Sequence, residues 1–350
     1  MGIFKSVFLY LPAIKQKNRT NNPTKKGKMR IRRILTVTAV VFALFSVNLR
    51  AQDRNEVIAA YNEGAKAMQT DVPAAITSFE KVIELSDKVG ETANDLKQKA
   101  VQVLPGLYYK LAATSYNEKK PAAEVIAAAK LAGAMAEKYG SKTHGENSKK
   151  ILVNGYYKMA TELFSANDYD KAMLAFDSVL AINPDHIASI YNKALIYRNR
   201  DDADSYEQTL DLFLSKLDPE KDADKATQAK GSALEYFRAA GSKANTANKL
   251  DEALALLTRA AKYGDDKTMF YFFADVYNKK SNFTEGAAYA QKGLDLETGD
   301  AEAKAMFYYQ LAVAQAGKGE TAAACESFKN AQYGPFAEAA KAQRTNLKCE

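Results

Sequence analysis

The sequence predicts an all-α chain of helix pairs stacked in series. Three observations lead there. From Gln52 onward alanine is abundant, runs of β-branched residues are scarce, and apolar residues recur at three- and four-residue spacings, the periodicity of amphipathic helices. One short word recurs: "YYKLA" (Tyr108 to Ala112), "YYKMA" (Tyr156 to Ala160) and "YYQLA" (Tyr308 to Ala312). Each copy is followed by a second apolar face with the same mixture of large and small residues.

The helical reading comes first. Pro73, Pro121, Pro184, Pro219 and Pro335 fall where helices should start or stop. No stretch alternates long enough to argue for a sheet.

The recurrence is the stronger signal. A large residue precedes a small one by four places at Tyr108/Ala112, Tyr156/Ala160, Ile190/Ala194, Phe237/Gly241, Phe270/Ala274 and Tyr308/Ala312, with a weaker copy at Ala60/Gly64. Starting from Ala60, the steps are 48, 48, 34, 47, 33 and 38 residues. The longer ones leave room for extra helical turns and loops, for example at 85–100, 138–150 and 218–230.

The second face is clearest in Asn167 to Pro184, where Tyr169, Ala172, Phe176 and Val179 share one side of a helix. Parallel sets are Val72, Ala75, Phe79, Val82; Leu250, Ala253, Leu257, Ala260; Phe283, Gly286, Ala290, Gly293; and Thr321, Ala324, Phe328, Ala331. A large residue facing a small one lets antiparallel helices interdigitate. A single pair cannot bury its own apolar face, so neighbours must stack into a superhelical solenoid with a concave groove.

These residues resemble the tetratricopeptide repeat, a helix–turn–helix unit of 34 residues. Counting Val153 as the first position of a unit, Tyr156, Ala160, Leu163, Ala172, Phe176, Val179 and Pro184 fall on the family's signature positions. The copy near Ile187 keeps Ile190, Ala194 and Tyr197, but its second helix fits poorly. The copy around Tyr108 has Glu124 where a small residue belongs. The resemblance covers most of 55–335. It implies a right-handed superhelical solenoid of about seven helix pairs over 52–350, with 338–350 as a capping helix and tail.

The resemblance also divides the repeated word. The first tyrosine should be buried between helices, and the second should line the concave groove. That places Tyr109, Tyr157, Tyr191, Arg238, Tyr271 and Tyr309 at equivalent groove positions, with Arg198, Asn278, Asn154, Asn245, Asp275 and Lys279 nearby. Tyrosine offers area, rigidity and a hydroxyl to a ligand. The competing reading is that these rings pack against adjacent repeats and merely show an edge. The family's clamp for a peptide's terminal carboxylate, a set of Lys, Asn and Arg, has no counterpart here, because tyrosine occupies most of the relevant turn.

Charge is unevenly distributed. Residues 1–51 hold 11 of the 49 Lys and Arg and none of the 42 Asp and Glu, so 52–350 carries a net charge of −4. A nucleic-acid surface needs a basic excess that the folded part lacks. "MRIRR" (Met29 to Arg33) precedes a 14-residue apolar run, Ile34 to Val47, and Ala51 is a small residue suited to cleavage. This is the pattern of a secretory signal peptide over 29–51. The apolar run is shorter than the roughly 20 residues of a spanning helix, so no stable membrane span is expected after cleavage. Residues 1–28 are either a mis-assigned start preceding Met29 or a long basic leader. Cys325 and Cys349 could pair in an oxidising compartment, or be unrelated thiols.

Chemistry finds little support. His144, in a stretch that reads as a loop, and His186 have no companion at metal-ligand spacing. No Gly-rich phosphate loop and no activated nucleophile is legible, and no cofactor is implied. The expectation is a non-enzymatic protein–protein interaction scaffold of a bacterial cell envelope, periplasmic, outer-membrane-associated or secreted, binding a peptide or protein partner. The alternative is a glycan-binding module; the tryptophan such modules often use for stacking is absent, since the chain has no Trp.

Overall fold

The computed structural model of the chain describes residues 53–349. The leader read at 1–51 lies outside them. The described residues are helical and contain no strand. Helix α1 spans 53–67. It is followed by α2 (Val72–Val89), α3 (Asn94–Asn117), α4 (Ala122–Lys138), α5 (Lys142–Ser165), α6 (Tyr169–Ile182), α7 (Ile187–Asn199), α8 (Ala203–Ser215), α9 (Ala223–Thr246), α10 (Leu250–Ala261), α11 (Lys267–Lys279), α12 (Phe283–Leu296), α13 (Ala301–Gly317), α14 (Thr321–Asn330) and α15 (Ala337–Asn346). Each odd helix up to α13 forms a hairpin with the next even one, so the described residues make seven tetratricopeptide-like pairs and a closing helix. The chain divides into two compact units, with the boundary inside α5 between Gly155 and Tyr156.

The hairpin turns share one device. Lys119, Asn167, Asp201, Asn248, Ser281 and Gly319 all have positive φ, between 55° and 79°. Each follows an odd helix, and each lets the next backbone N–H reach back to a carbonyl five residues earlier: Lys120 to Ser115, Asp168 to Leu163, Asp202 to Tyr197, Lys249 to Ala244, Asn282 to Tyr277 and Glu320 to Gln315, all at 2.9–3.1 Å. This left-handed cap satisfies carbonyls that a helix end leaves orphaned. Asp168, Asp202 and Asn282 then cap the following helix through their side chains.

Helix length accounts for the unequal steps of the repeat. Helices α3, α5 and α9 each have 24 residues, whereas α7 and α11 have 13. The surplus is added before the large residue of the repeated word, so the long steps hold helix. His144 therefore sits in the first turn of α5, where the sequence reads as a loop. Its Nδ1 lies 2.8 Å from Ser141 Oγ and its ring packs on Tyr109.

The core is the large-and-small code made physical. In the N-terminal unit Ala75, Phe79 and Val82 of α2 are buried with Leu104, Tyr108 and Ala112 of α3. In the C-terminal unit Phe176, Phe237, Phe307 and Phe328 are at most 1% exposed. Each such ring contributes about 1.5–3 kcal/mol by leaving water. Two of the sequence assignments need correction: Tyr156 and Tyr308 are half-buried rather than interior. In the last pair Phe307, one residue earlier, takes the deep position, because it faces Gly293 of α12.

The end of the chain is tied down. Cys325 on α14 and Cys349 beyond α15 form a disulfide with a Cα–Cα distance of 5.6 Å. Arg344 Nη1 donates to the Cys325 carbonyl at 2.8 Å, and Ala340 of α15 is fully buried. The closing helix thus occupies Ala337–Asn346.

A Cβ added to Gly293 would lie 2.3 Å from the buried Phe307 ring. Gly293→Ala should therefore destabilise the C-terminal unit by about 1–3 kcal/mol, despite the roughly 1 kcal/mol that alanine gains as a helix former; a lowered urea midpoint by circular dichroism is the readout. Cys349→Ser releases a cross-link between residues 24 apart, which is worth about 3 kcal/mol in the chain-entropy picture. Amide exchange should rise at least tenfold across α15, with α9 to α12 unchanged.

Candidate functional site

The groove residues expected from the sequence fall on the odd helices. In the C-terminal unit α9 packs on α11, and α11 on α13, so their side chains form a row. Tyr157 on α5, Tyr191 on α7, Tyr271 on α11 and Tyr309 on α13 are each half-buried. The Tyr157 ring sits 4.9 Å from that of His186 and accepts a hydrogen bond from Asn192 Nδ2 at 3.4 Å. Tyr191 lies 4.7 Å from Phe213. Tyr271 meets Phe307 edge-on at 6.4 Å, and Tyr309 meets Phe328 at 5.6 Å. Phe336, just before α15, touches both Tyr271 and Tyr309. Each ring thus spends one side on packing and keeps one edge outward. Tyr109 does the same in the N-terminal unit, against His144 at 5.8 Å.

The polar candidates divide. Arg238 pairs with Asp266, the N-cap of α11, at 2.9 Å. Asn278 departs from the groove expectation: it is buried, and its Nδ2 donates to both the backbone oxygen and Oε1 of Gln310 at 2.9 and 3.0 Å. Its Oδ1 points at Gly286, where a Cβ would come within 2.0 Å. A missing side chain on α12 is what lets this amide in.

Asn278 belongs to a network across α9, α11 and α13. Asn245 donates to Asp275 at 2.7 Å, Lys279 pairs with Asp275 at 2.7 Å and donates to Asn245 at 2.9 Å, and Gln310 Nε2 reaches Asp275 at 3.2 Å. Gln310 escaped the sequence reading. Its signal is there, since it stands in "YYQLA" where the other words carry Lys110 and Lys158. A lysine could not occupy a site that is only 4% exposed.

The fourth pair breaks the packing code. Tyr206 holds the place that Ala172, Ala253, Gly286 and Ala324 hold in the other pairs of this unit. Its buried ring packs edge-on against Tyr236 of α9 at 5.1 Å and beside Phe237 at 5.9 Å. A ring there occupies the space a methyl group leaves to the next helix, and α8 meets α9 only sparingly. The result is a cleft of about 840 Å³ between the α7–α8 turn and the second half of α9. Its floor is Ala239, Ala240, Ala244 and Ala247, and Arg198, Asp201, Glu235, Tyr236 and Lys243 stand around it. The Arg198 Nη1 donates to Ser232 Oγ at 2.6 Å.

Across the same junction, ion pairs join the even helices. Arg259 of α10 reaches Glu207, Asp204 and the Ala203 carbonyl of α8 at 2.7, 2.9 and 2.6 Å, while covering the Phe237 ring. Lys262 and Tyr263 bond to Asp211.

Electrostatics follow burial. Burial pushes the Tyr206, Tyr236, Tyr263 and Tyr271 phenols above the ordinary range; Asp201 adds to this at Tyr236, Asp211 at Tyr263 and Asp275 at Tyr271. Burial also lowers His186, which keeps the imidazole neutral near pH 7. Its Nδ1 accepts from the Ser189 backbone, so the Ser189–His186 contact is a helix cap. No group of three or more His, Cys, Asp or Glu among the described residues could hold a metal ion. No described helix is long and apolar enough to cross a membrane.

No family model matches the chain, and no curated protein does. Solved structures do resemble it. YrrB, described as a TPR protein with an unusual peptide-binding site, is 17% identical over 59% of this chain and 97% of its own, with a TM-score of 0.33. MamA is 17% identical over 57% and 96%, with a TM-score of 0.32. A tetratricopeptide repeat protein from Parabacteroides merdae is 16% identical over 85% and 99%, with a TM-score of 0.27. The helix pairs described above stand on their own packing, and nothing about a ligand follows from these likenesses.

A raised folded-state pKa gives stability that is intact below the unfolded value, roughly 10 for tyrosine, and lost as pH climbs through the folded values. Helicity should therefore fall in the same alkaline window in which tyrosinate absorbance grows. Tyr271→Phe should flatten that loss; an unchanged slope would contradict the burial assigned to its hydroxyl.

Proposed function

We propose that this chain is a tetratricopeptide-type scaffold that docks a protein or peptide partner and carries out no catalysis itself. The observation that carries the reading is the recurrence of half-buried tyrosines at one position on four odd helices, Tyr157 on α5, Tyr191 on α7, Tyr271 on α11 and Tyr309 on α13, with Arg238 at that position on α9. Each is held by packing on one side, so its outward edge is pre-ordered. A rigid aromatic with a hydroxyl loses little conformational entropy on contact, which suits it to anchor a partner. Arg238, Lys279 and Asp275 lie along the same row and supply polar contacts.

The setting proposed is the envelope of a bacterial cell. The basic and apolar segments at 29–51 have the composition of an export signal, and the Cys325–Cys349 disulfide suits an oxidising compartment.

The test is capture from envelope extracts by the protein and by a Tyr157→Ala, Tyr191→Ala, Tyr271→Ala triple variant, with the three Tyr→Phe changes as a packing control. The alanine variant should lose its partners at least tenfold, while the phenylalanine variant keeps its helicity and part of its binding. Retention of every partner by a helical alanine variant overturns the assignment of this face.

A further inference from the structure

We propose that the cleft between the fourth and fifth helix pairs binds an acidic peptide segment, seating a carboxylate on Arg198 and small side chains over the alanine face of α9. The proposal rests on the scaffold reading for its ligand class, but its site is separate from the tyrosine row.

Arg198 is the first argument. Arg54, Arg200, Arg238 and Arg259 each face a carboxylate, at 3.1, 2.6, 2.9 and 2.7 Å respectively. Among the described residues, Arg198 has no carboxylate within ion-pair distance. Its guanidinium is held by the Ser232 hydroxyl at 2.6 Å, with the Tyr206 hydroxyl beside it. A guanidinium stays charged in any protein environment, and its planar fork matches a carboxylate through two parallel hydrogen bonds. Half-buried at a cleft wall and anchored by neutral hydroxyls, it is oriented without being neutralised.

The rest of the wall narrows the ligand. Lys243 lines the cleft with no ion pair among the described residues, whereas Lys249 is taken by Glu252 at 3.1 Å. The Tyr236 phenol, kept protonated by its surroundings, adds a donor. Asp201 and Glu235 stand on the rim. They repel a free anion such as phosphate, but they can accept N–H groups that flank a carboxylate in a peptide. Ala239, Ala240, Ala244 and Ala247 project only methyl groups, so an extended backbone can approach α9 closely if its own side chains are small. A volume of about 840 Å³ holds several residues of such a chain.

The ligand's carboxylate can come from a glutamate side chain or from a chain terminus, and the experiment separates them. The protein, labelled with ¹⁵N at arginine, is titrated with acetyl-Ala-Ala-Glu-Ala-Ala-amide, with its Gln counterpart, with acetyl-Ala-Ala-Ala-Ala bearing a free C-terminus, and with inorganic phosphate. The Arg198 Nε–H resonance should shift saturably with the Glu peptide or the free-acid peptide, and whichever binds names the source. The Gln peptide and phosphate should bind at least tenfold more weakly. Arg198→Gln should abolish the response to peptide, followed by fluorescence anisotropy of a labelled copy, and Arg198→Lys should restore part of it. Ala240→Leu, which keeps the arginine but fills the floor, should also block binding. Equal binding of the Gln peptide, equal binding of phosphate, unchanged affinity in a folded Arg198→Gln variant, or no saturation at millimolar peptide overturns the proposal. Absent peptide binding with partner capture intact removes the cleft alone. Capture unaffected by the tyrosine-to-alanine changes, with peptide binding intact, removes the tyrosine face alone.

Discussion

Close approach of helices where one of them lacks a side chain is the constraint on which the other features depend. Leu257 lies against Gly241, Phe79 against Gly64, Phe307 against Gly293, and the Asn278 amide against Gly286, all at distances that leave no room for a methyl group without movement. Dispersion falls steeply with separation, so a large group seated in such a gap gains far more than the same group across a spacer. The gaps also fix register. A helix displaced by one residue would present a β-carbon where the ring must go. Hairpin geometry, the stacking of pairs and the angle at which tyrosines emerge all follow from these few contacts.

The turns make that geometry repeatable. A left-handed residue after each odd helix from α3 to α13 closes the helix with the same backbone bond, whether it is Lys119, Asn167, Asp201, Asn248, Ser281 or Gly319. A non-glycine residue pays a small steric cost there, but the cap satisfies the carbonyls of the last turn. The hairpins can therefore share one turn while the odd helices differ in length by 11 residues.

Functional surfaces arise where this regularity is relaxed. At Tyr206 a ring replaces a methyl group, a cleft lies between the α7–α8 turn and α9, and the Arg259 and Lys262 ion pairs tie α10 to α8 beside it. At Asn278 and Gln310 an amide pair replaces apolar packing between α11 and α13. Such a network is tolerated because nearly every donor and acceptor is matched. Along the tyrosine row the small residues of the code are intact, and each tyrosine stands one residue after the large member of the pair, turned by about 100° around the helix.

Much of this was legible in the amino-acid order. The pair count, the faces of the even helices and the small residues that receive large ones are all local patterns, because a residue's helical face is set by its spacing from its neighbours. The breach at the fourth pair was visible as a poor fit, and Gln310 as an odd letter in a repeated word. Tertiary structure alone decided how deep each residue lies. Tyr156 and Tyr308 share a letter with Tyr108 yet sit half-exposed, since burial depends on what the next pair brings against a position. Likewise Asn278 reads as a groove amide until Gly286 and Gln310 enclose it, and Arg198 reads as a groove cation until the Ser232 and Tyr206 hydroxyls prove to be its neighbours. Spacing along the chain specifies a face, whereas depth and partnership depend on contacts between residues 30 or more positions apart.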